Sequence, residues 1–192
     1  MKVLIDNGHG VHTRGKRSPD GRLIEAVFNR KVARELVARL RAQGVDAELL
    51  VPEDDDIPLA ERCRRANEIA GRQKCILVSI HVNASARQGF HEANGWTALI
   101  APRASAESAE LARILYREAS VRALLGNRYP TPEGYLRGNL AILRDTRCPA
   151  VLTENMFMDN FENLEMLLSP FGFEAIVDLH VQGILKYLND RQ

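Results

Sequence analysis

The chain has 192 residues, 45% of them hydrophobic and 27% charged, with a net charge of +1. That length suits one domain, 1–192, and the even spread of charge excludes the clustered basic face of a nucleic-acid or anionic-membrane binder. No run approaches the roughly 20 apolar residues that span a bilayer, which excludes membrane insertion through a helix.

Residues 2–6 read as a strand. After a glycine-punctuated loop, Phe28, Val32, Leu36 and Leu40 recur every four residues and Gly44 follows as a stop, which predicts an amphipathic helix. A second strand is expected at 46–51. Residues 56–72 form a shorter helix with Leu59, Cys63, Ala66 and Ala70 inward. The nearly all-apolar run 75–81 is a strand of the kind buried on both faces of a sheet. Residues 96–101 make another strand, and 106–123 a helix with Leu111, Ile114, Leu115 and Ala119 on one side. The glycine- and proline-punctuated stretch 125–138 reads as a loop. Two further strands are expected at 139–144 and 150–154, split by the turn at Pro149. Residues 171–188 close the chain as a helix with Ile176, Val177, His180, Ile184 and Leu188 on its apolar face. Strands alternating with helices argue for an α/β fold.

The cysteines, Cys63, Cys75 and Cys148, are odd in number and lack C-x-x-C spacing. They read as small hydrophobes rather than a disulfide framework. Glu53-Asp54-Asp55-Asp56 reads as a solvated turn leading into a helix N-terminus, where negative charge is favourable.

Four polar residues stand where a strand ends or a helix begins. His9 follows the first strand in Asp6-Asn7-Gly8-His9-Gly10, and Glu25 opens the first helix. His81 ends the apolar strand in Ser79-Ile80-His81-Val82-Asn83-Ala84, and Glu154 ends the last strand in Val151-Leu152-Thr153-Glu154-Asn155. Sites in open α/β sheets form beyond the carboxyl ends of the strands, so parallel strands would gather these residues at one edge. Two imidazoles and a carboxylate suit a catalytic zinc with an open fourth position. A separate carboxylate is then needed to take the proton of water and deliver it to a departing amine. Glu25 fits the ligand role and Glu154 the acid/base role. Spacing alone leaves a bland alternative open, because a single histidine is more often structural than a ligand. The glycines around His9 also allow a phosphate-cradling turn, although the Walker and dinucleotide patterns are absent.

The motifs around His9 and His81, together with Glu25 before its helix and Ala66-Asn67, resemble the N-acetylmuramoyl-L-alanine amidases of the third amidase family. Pro149-Ala150-Val151-Leu152-Thr153-Glu154, followed by Phe157 and Asn160, is similar to that family's catalytic strand and turn. The matches keep the family's order from Val3 to Tyr187. The resemblance implies a single α/β domain with a mostly parallel twisted sheet of about six strands and helices on both faces. It implies one Zn2+ on His9, Glu25 and His81, Glu154 as the catalytic carboxylate, and hydrolysis of the amide between N-acetylmuramic acid and L-alanine in peptidoglycan. Asn7 stands where the family favours proline, and Asn155-Met156 where it favours a small Thr-Gly pair. These departures bear on substrate preference rather than on the chemistry.

Asn83 is a candidate to brace the site, and His12 to touch substrate. His180 reads as a hydrogen-bonded core residue and His91 as an exposed loop residue. The expected partner is peptidoglycan. No obligate protein partner is expected, since the connection 84–95 is too short for a plug folded over the site. The expected place of action is the cell wall, outside the membrane. No signal peptide is legible, which fits a phage or prophage endolysin released through a holin-opened membrane, or an enzyme whose signal has been removed. A zinc peptidase acting on another peptide amide and a catalytically silent wall-binding module are the alternatives.

Overall fold

The computed structural model describes residues 1–85, 88–128 and 131–191. Strand β1 (Lys2–Asn7) leads through a long loop into helix α1 (Glu25–Ala42), then β2 (Ala47–Leu49), α2 (Leu59–Ala70), β3 (Cys75–Asn83) and β4 (Thr97–Ile100). Helix α3 (Ala106–Val121), β5 (Leu136–Arg137), α4 (Ala141–Arg144), β6 (Ala150–Phe157), α5 (Phe161–Leu168) and α6 (Pro170–Asn189) complete the chain. The six strands form one sheet in the order β2-β1-β3-β6-β4-β5. β2, β1, β3 and β6 run parallel, whereas β4 is antiparallel to β6. The architecture is therefore α/β with a mostly parallel sheet, as expected.

Alternation along the central strands decides which helix packs where. Val3, Ile5, Ile76, Val78 and Ile80 point to one face and meet α1, α3 and α6 through Leu36, Leu40, Leu111, Leu115 and Ile176. Leu4, Leu77 and Leu152 point to the other and meet Cys63 and Ala66 of α2 with Ile142 and Leu143 of α4. With both faces covered, the central strands lose the polar alternation of a half-exposed sheet.

The structure corrects several expectations. Residues 139–144 do not form a strand: Ile142 and Leu143 are both buried in succession, and Arg144 N–H donates to the Leu140 carbonyl at 2.9 Å. A short apolar run carries no usable period, and here docking against α2 made it a turn of helix. Inside the stretch read as the loop 125–138, Leu136–Arg137 pairs with β4 as β5, while positions 129 and 130 lie outside the described residues. α5 went unrecognised although Asn160 caps it, its side chain accepting from Asn163 N–H at 2.9 Å. α2 starts at Leu59 rather than at 56, because Pro58 precedes it and the acidic residues before it stay in the loop.

His180 is fully buried on α6, as its helical position predicts. One ring nitrogen donates to the Ile176 carbonyl at 2.7 Å, and the other accepts from the Thr153 hydroxyl at 2.9 Å. Burial pushes this imidazole down to about 4 from 6.5. The unfolded ring takes a proton that the folded ring refuses over that interval, so its contribution is complete above pH 6.5 and lost as pH falls to 4. Unfolding titrations are expected to lose about 3 kcal/mol more in wild type than in His180→Gln between those pH values. Equal pH slopes for the two proteins would refute this.

Candidate active site

The loop after β1 is shaped by what surrounds it. At Gly8 a Cβ would stand 2.1 Å from Cε1 and 2.4 Å from Nδ1 of His81, so the imidazole occupies the space of a side chain. His9 follows with φ of 63°, a left-handed conformation that costs a non-glycine residue about 1–3 kcal/mol and needs outside support. Two buried arginines supply it. Arg30 Nη1 donates to the His9 carbonyl at 2.8 Å, and Arg62 Nη2 reaches the same oxygen at 3.4 Å. Arg62 Nη1 also donates to Asp6 Oδ1 and to the Asn7 carbonyl, both at 2.8 Å. Asn29 holds the Gly8 carbonyl from α1.

Glu25 sits in the first turn of α1, where the helix dipole favours a carboxylate, and is only 1% exposed. Its Oε1 accepts from the Val82 backbone N–H at 3.2 Å and lies 3.1 Å from His81 Nδ1 and 3.4 Å from His9 Nε2. Burial alone would raise its pKa, but the two imidazoles outweigh that and hold it well below the usual carboxylate range. Burial likewise disfavours the charged form of His81, and the contact with Glu25 reverses the sign, leaving its pKa raised. The two imidazole planes meet edge to face, 4.9 Å between centroids.

One donor atom from each of His9, Glu25 and His81 lies within 4.8 Å of the other two. This set fits a divalent cation: two borderline nitrogen donors, one anionic oxygen, and a glycine in place of a side chain where His81 packs. His9, His81, Leu59 and Ile142 border a cleft of about 370 Å³ beside it.

Glu154 lies on β6 directly between His81 of β3 and Thr97 of β4 in register. Among the described residues its Oε2 is buried without a hydrogen-bond partner. Burial pushes its carboxyl up to about 7, with Glu25 adding to the rise while His81 and Lys16 oppose it. A buried carboxyl raised in this way is a candidate for proton transfer.

The remaining candidates fall elsewhere. Asn83 is half-buried at the end of β3, where its Oδ1 accepts from Ala84 N–H at 2.8 Å, a local loop contact. His12 is exposed in the loop before α1 and outside the three-donor cluster. His91, expected to be exposed, is half-buried: its N–H donates to the Asp159 carbonyl, its own carbonyl accepts from Asn160, and its Nε2 is enclosed. The acidic run is not merely solvated either. Asp56 pairs with Arg62, Glu53 with Arg65, and the carbonyls of Glu53 and Asp55 accept from Arg30.

Sequence reasoning missed the supports. Asn155 Nδ2 donates to the His81 carbonyl at 2.9 Å, and Trp96 Nε1 in turn fixes the Asn155 Oδ1 at 2.9 Å. Trp96 immediately precedes β4, the antiparallel neighbour of the strand that carries Asn155, a pairing that nothing local announces. Arg62 could have been found, since it stands four residues before Ala66 on a helix face that is otherwise apolar; Leu59, expected inward, is instead exposed.

Comparisons with known proteins place the chain. The N-acetylmuramoyl-L-alanine amidase family matches residues 3–186. The chain is 26% identical to the N-acetylmuramoyl-L-alanine amidase CwlM of Bacillus licheniformis, covering 98% of this chain and 69% of that one. It is 26% identical to the endolysin of Bacillus phage SPP1, covering 97% and 66% respectively. Among solved structures, the N-acetylmuramoyl-L-alanine amidase from Clostridium difficile 630 superposes with a TM-score of 0.84 at 26% identity, over 100% of this chain and 98% of that one. The catalytic domain of CwlV from Bacillus (Paenibacillus) polymyxa shares the fold at a TM-score of 0.83 and 24% identity, with 98% of both chains covered. Since the match runs almost from end to end in both sequence and fold, the chain belongs to the N-acetylmuramoyl-L-alanine amidase family and is an amide hydrolase.

Proposed function

We propose that this amidase cuts the bond between N-acetylmuramic acid and L-alanine in peptidoglycan, with one zinc ion held by His9, Glu25 and His81 and with Glu154 handling the proton. The observation that carries the reading is the meeting of three donor atoms within 4.8 Å beside an unpartnered buried carboxylate oxygen. A zinc ion bound there would supply Lewis acidity toward water and the scissile carbonyl. Glu154 Oε2 takes a proton from the attacking water and returns it to the nitrogen of the departing L-alanine. Burial raises its carboxyl above the usual carboxylate range, which suits a group that must both accept a proton and give it back. Glu25 keeps the two imidazoles facing a common point, and Arg30, Arg62 and Asn155 hold the backbone on which they stand.

The domain is proposed to span 1–192, with peptidoglycan as partner and the wall, outside the membrane, as its place of action. The endolysin of phage SPP1 among its relatives supports a lytic role for a chain of this kind. Among the described residues no helix is long and apolar enough to cross a membrane. His12 is proposed to touch substrate from the loop before α1, and Asn83 to steady the end of β3.

The experiment is digestion of purified wall before and after exhaustive chelation, with release of new L-alanine amino termini as readout. Chelation is expected to abolish release and zinc to restore it. His81→Ala is expected to lose bound zinc and activity together. Full release from demonstrably metal-free protein would overturn the zinc reading. Release from casein at a comparable rate would favour a general zinc peptidase.

A further inference from the structure

The edge of the sheet opposite the candidate site carries a second pair of reactive groups. Cys75 opens β3, and Cys148 lies two residues before Ala150, the first residue of β6. The β3–β6 ladder is parallel and pairs Leu77 with Ala150, with Leu77 N–H donating to the Pro149 carbonyl at 2.9 Å. Continuing two residues back sets Cys75, the first residue of β3, beside Cys148 in the bend that leads into β6, and the two thiols lie within hydrogen-bonding reach of each other. Their surroundings agree, since both pack in the cluster of Leu4, Leu77 and Leu152. Neighbouring strands run about 4.8 Å apart where the ladder begins at Leu77 and Ala150, which brings the flanking cysteines close to the Cα separation of about 4.4–6.8 Å that a disulfide spans. Both residues also line one cavity of about 310 Å³, so a small oxidant has a way in. Cys75 is buried, whereas Cys148 is partly exposed. Cys63 sits apart on α2 with its thiol toward the Ala141 carbonyl.

We infer that Cys75 and Cys148 are a disulfide-forming pair that staples β3 to β6 when the protein meets a small-molecule disulfide such as oxidised glutathione. The Cys148 thiolate, as the accessible one, attacks a sulfur of the oxidant and expels one glutathione thiolate. The Cys75 thiol then loses its proton and attacks the Cys148 sulfur of the mixed disulfide, expelling the second. Two protein thiols have lost two protons and two electrons, and one oxidised glutathione has become two reduced ones. Burial raises the pKa of both thiols, Cys148 up to about 12 with the neighbouring Cys75 adding to it. Oxidation is therefore slow near neutral pH and accelerates as pH rises. The bond would close a loop of about 70 residues and restrict the unfolded chain. His81 lies six positions further along β3, roughly 20 Å away, so the candidate site is out of its reach.

The test uses the full chain held natively at pH 8.5 with oxidised glutathione, then denatured for thiol counting and peptide mapping. The three free thiols are expected to fall to one, with a cross-linked peptide joining Cys75 to Cys148. The melting temperature is expected to rise by about 5–15 °C and to return on reduction. Cys63→Ala should lose both of its remaining thiols together, and Cys148→Ser should show neither the cross-link nor the rise. The inference is overturned if Cys63→Ala keeps two thiols after native oxidation, or stops at glutathione adducts. A bridge to Cys63, a bridge only between molecules, or an intramolecular bridge that leaves the melting temperature unchanged or lower would overturn it equally.

Discussion

Glu154→Gln is expected to cut turnover on purified wall by about 10²–10⁴-fold, the usual worth of general acid/base help, while zinc content and binding to wall fragments stay near wild type. Glutamine keeps the size of the side chain and its hydrogen-bonding capacity but loses the basic oxygen. The position makes the outcome diagnostic. Glu154 is flanked by His81 and Thr97 in the sheet, yet its Oε2 has no partner among the described residues, and the three-donor cluster is complete without it. Turnover and zinc stoichiometry, measured on the same preparation, separate the readings. Lost zinc would make Glu154 a ligand and turn attention to Glu25 as the base. Retained zinc with most of the rate would end the carboxylate mechanism.

Gly8→Ala is the second large effect. Its Cβ would stand 2.1–2.4 Å from three atoms of the His81 ring, far inside contact distance, so the ring must leave its place. The substituted atom comes from backbone that cannot retreat, because the Asn29 side chain and the Gly8 N–H bond to Ile80 pin it on both sides. Loss of a single supporting contact at a metal site typically costs about 10–100-fold in affinity, and displacing a ligand should cost at least that. Competition against a chromogenic chelator is expected to show the loss, with activity falling alongside it. Unfolding should stay cooperative, since the rest of the core is untouched. Wild-type zinc affinity in Gly8→Ala would show that His81 does not ligate from the position seen here.

Much of this protein was decided by local chemistry and was legible before folding. The four-residue spacing from Phe28 to Leu40 marks a helix, and the nearly all-apolar, β-branched-rich run from Cys75 to Ile80 marks a strand covered on both faces. The set of His9, Glu25, His81 and Glu154 was legible too, because parallel strands carry such residues towards one edge, although β3 continues to Asn83 and β6 to Phe157 beyond the strand ends expected at His81 and Glu154. What the tertiary structure alone decided depends on neighbours remote in sequence. Residues 139–144 became a helical turn because α2 was there to receive Ile142 and Leu143. β4 turned antiparallel through pairing with β6, and so brought Trp96 and Asn155 together behind His81. The left-handed His9 is held by guanidinium groups from two different helices, Arg30 of α1 and Arg62 of α2. A residue's own neighbours in the chain set its period and its turn chemistry. Its hydrogen-bond partners across the sheet are set only when the strands have chosen their order, and that choice belongs to the packed whole.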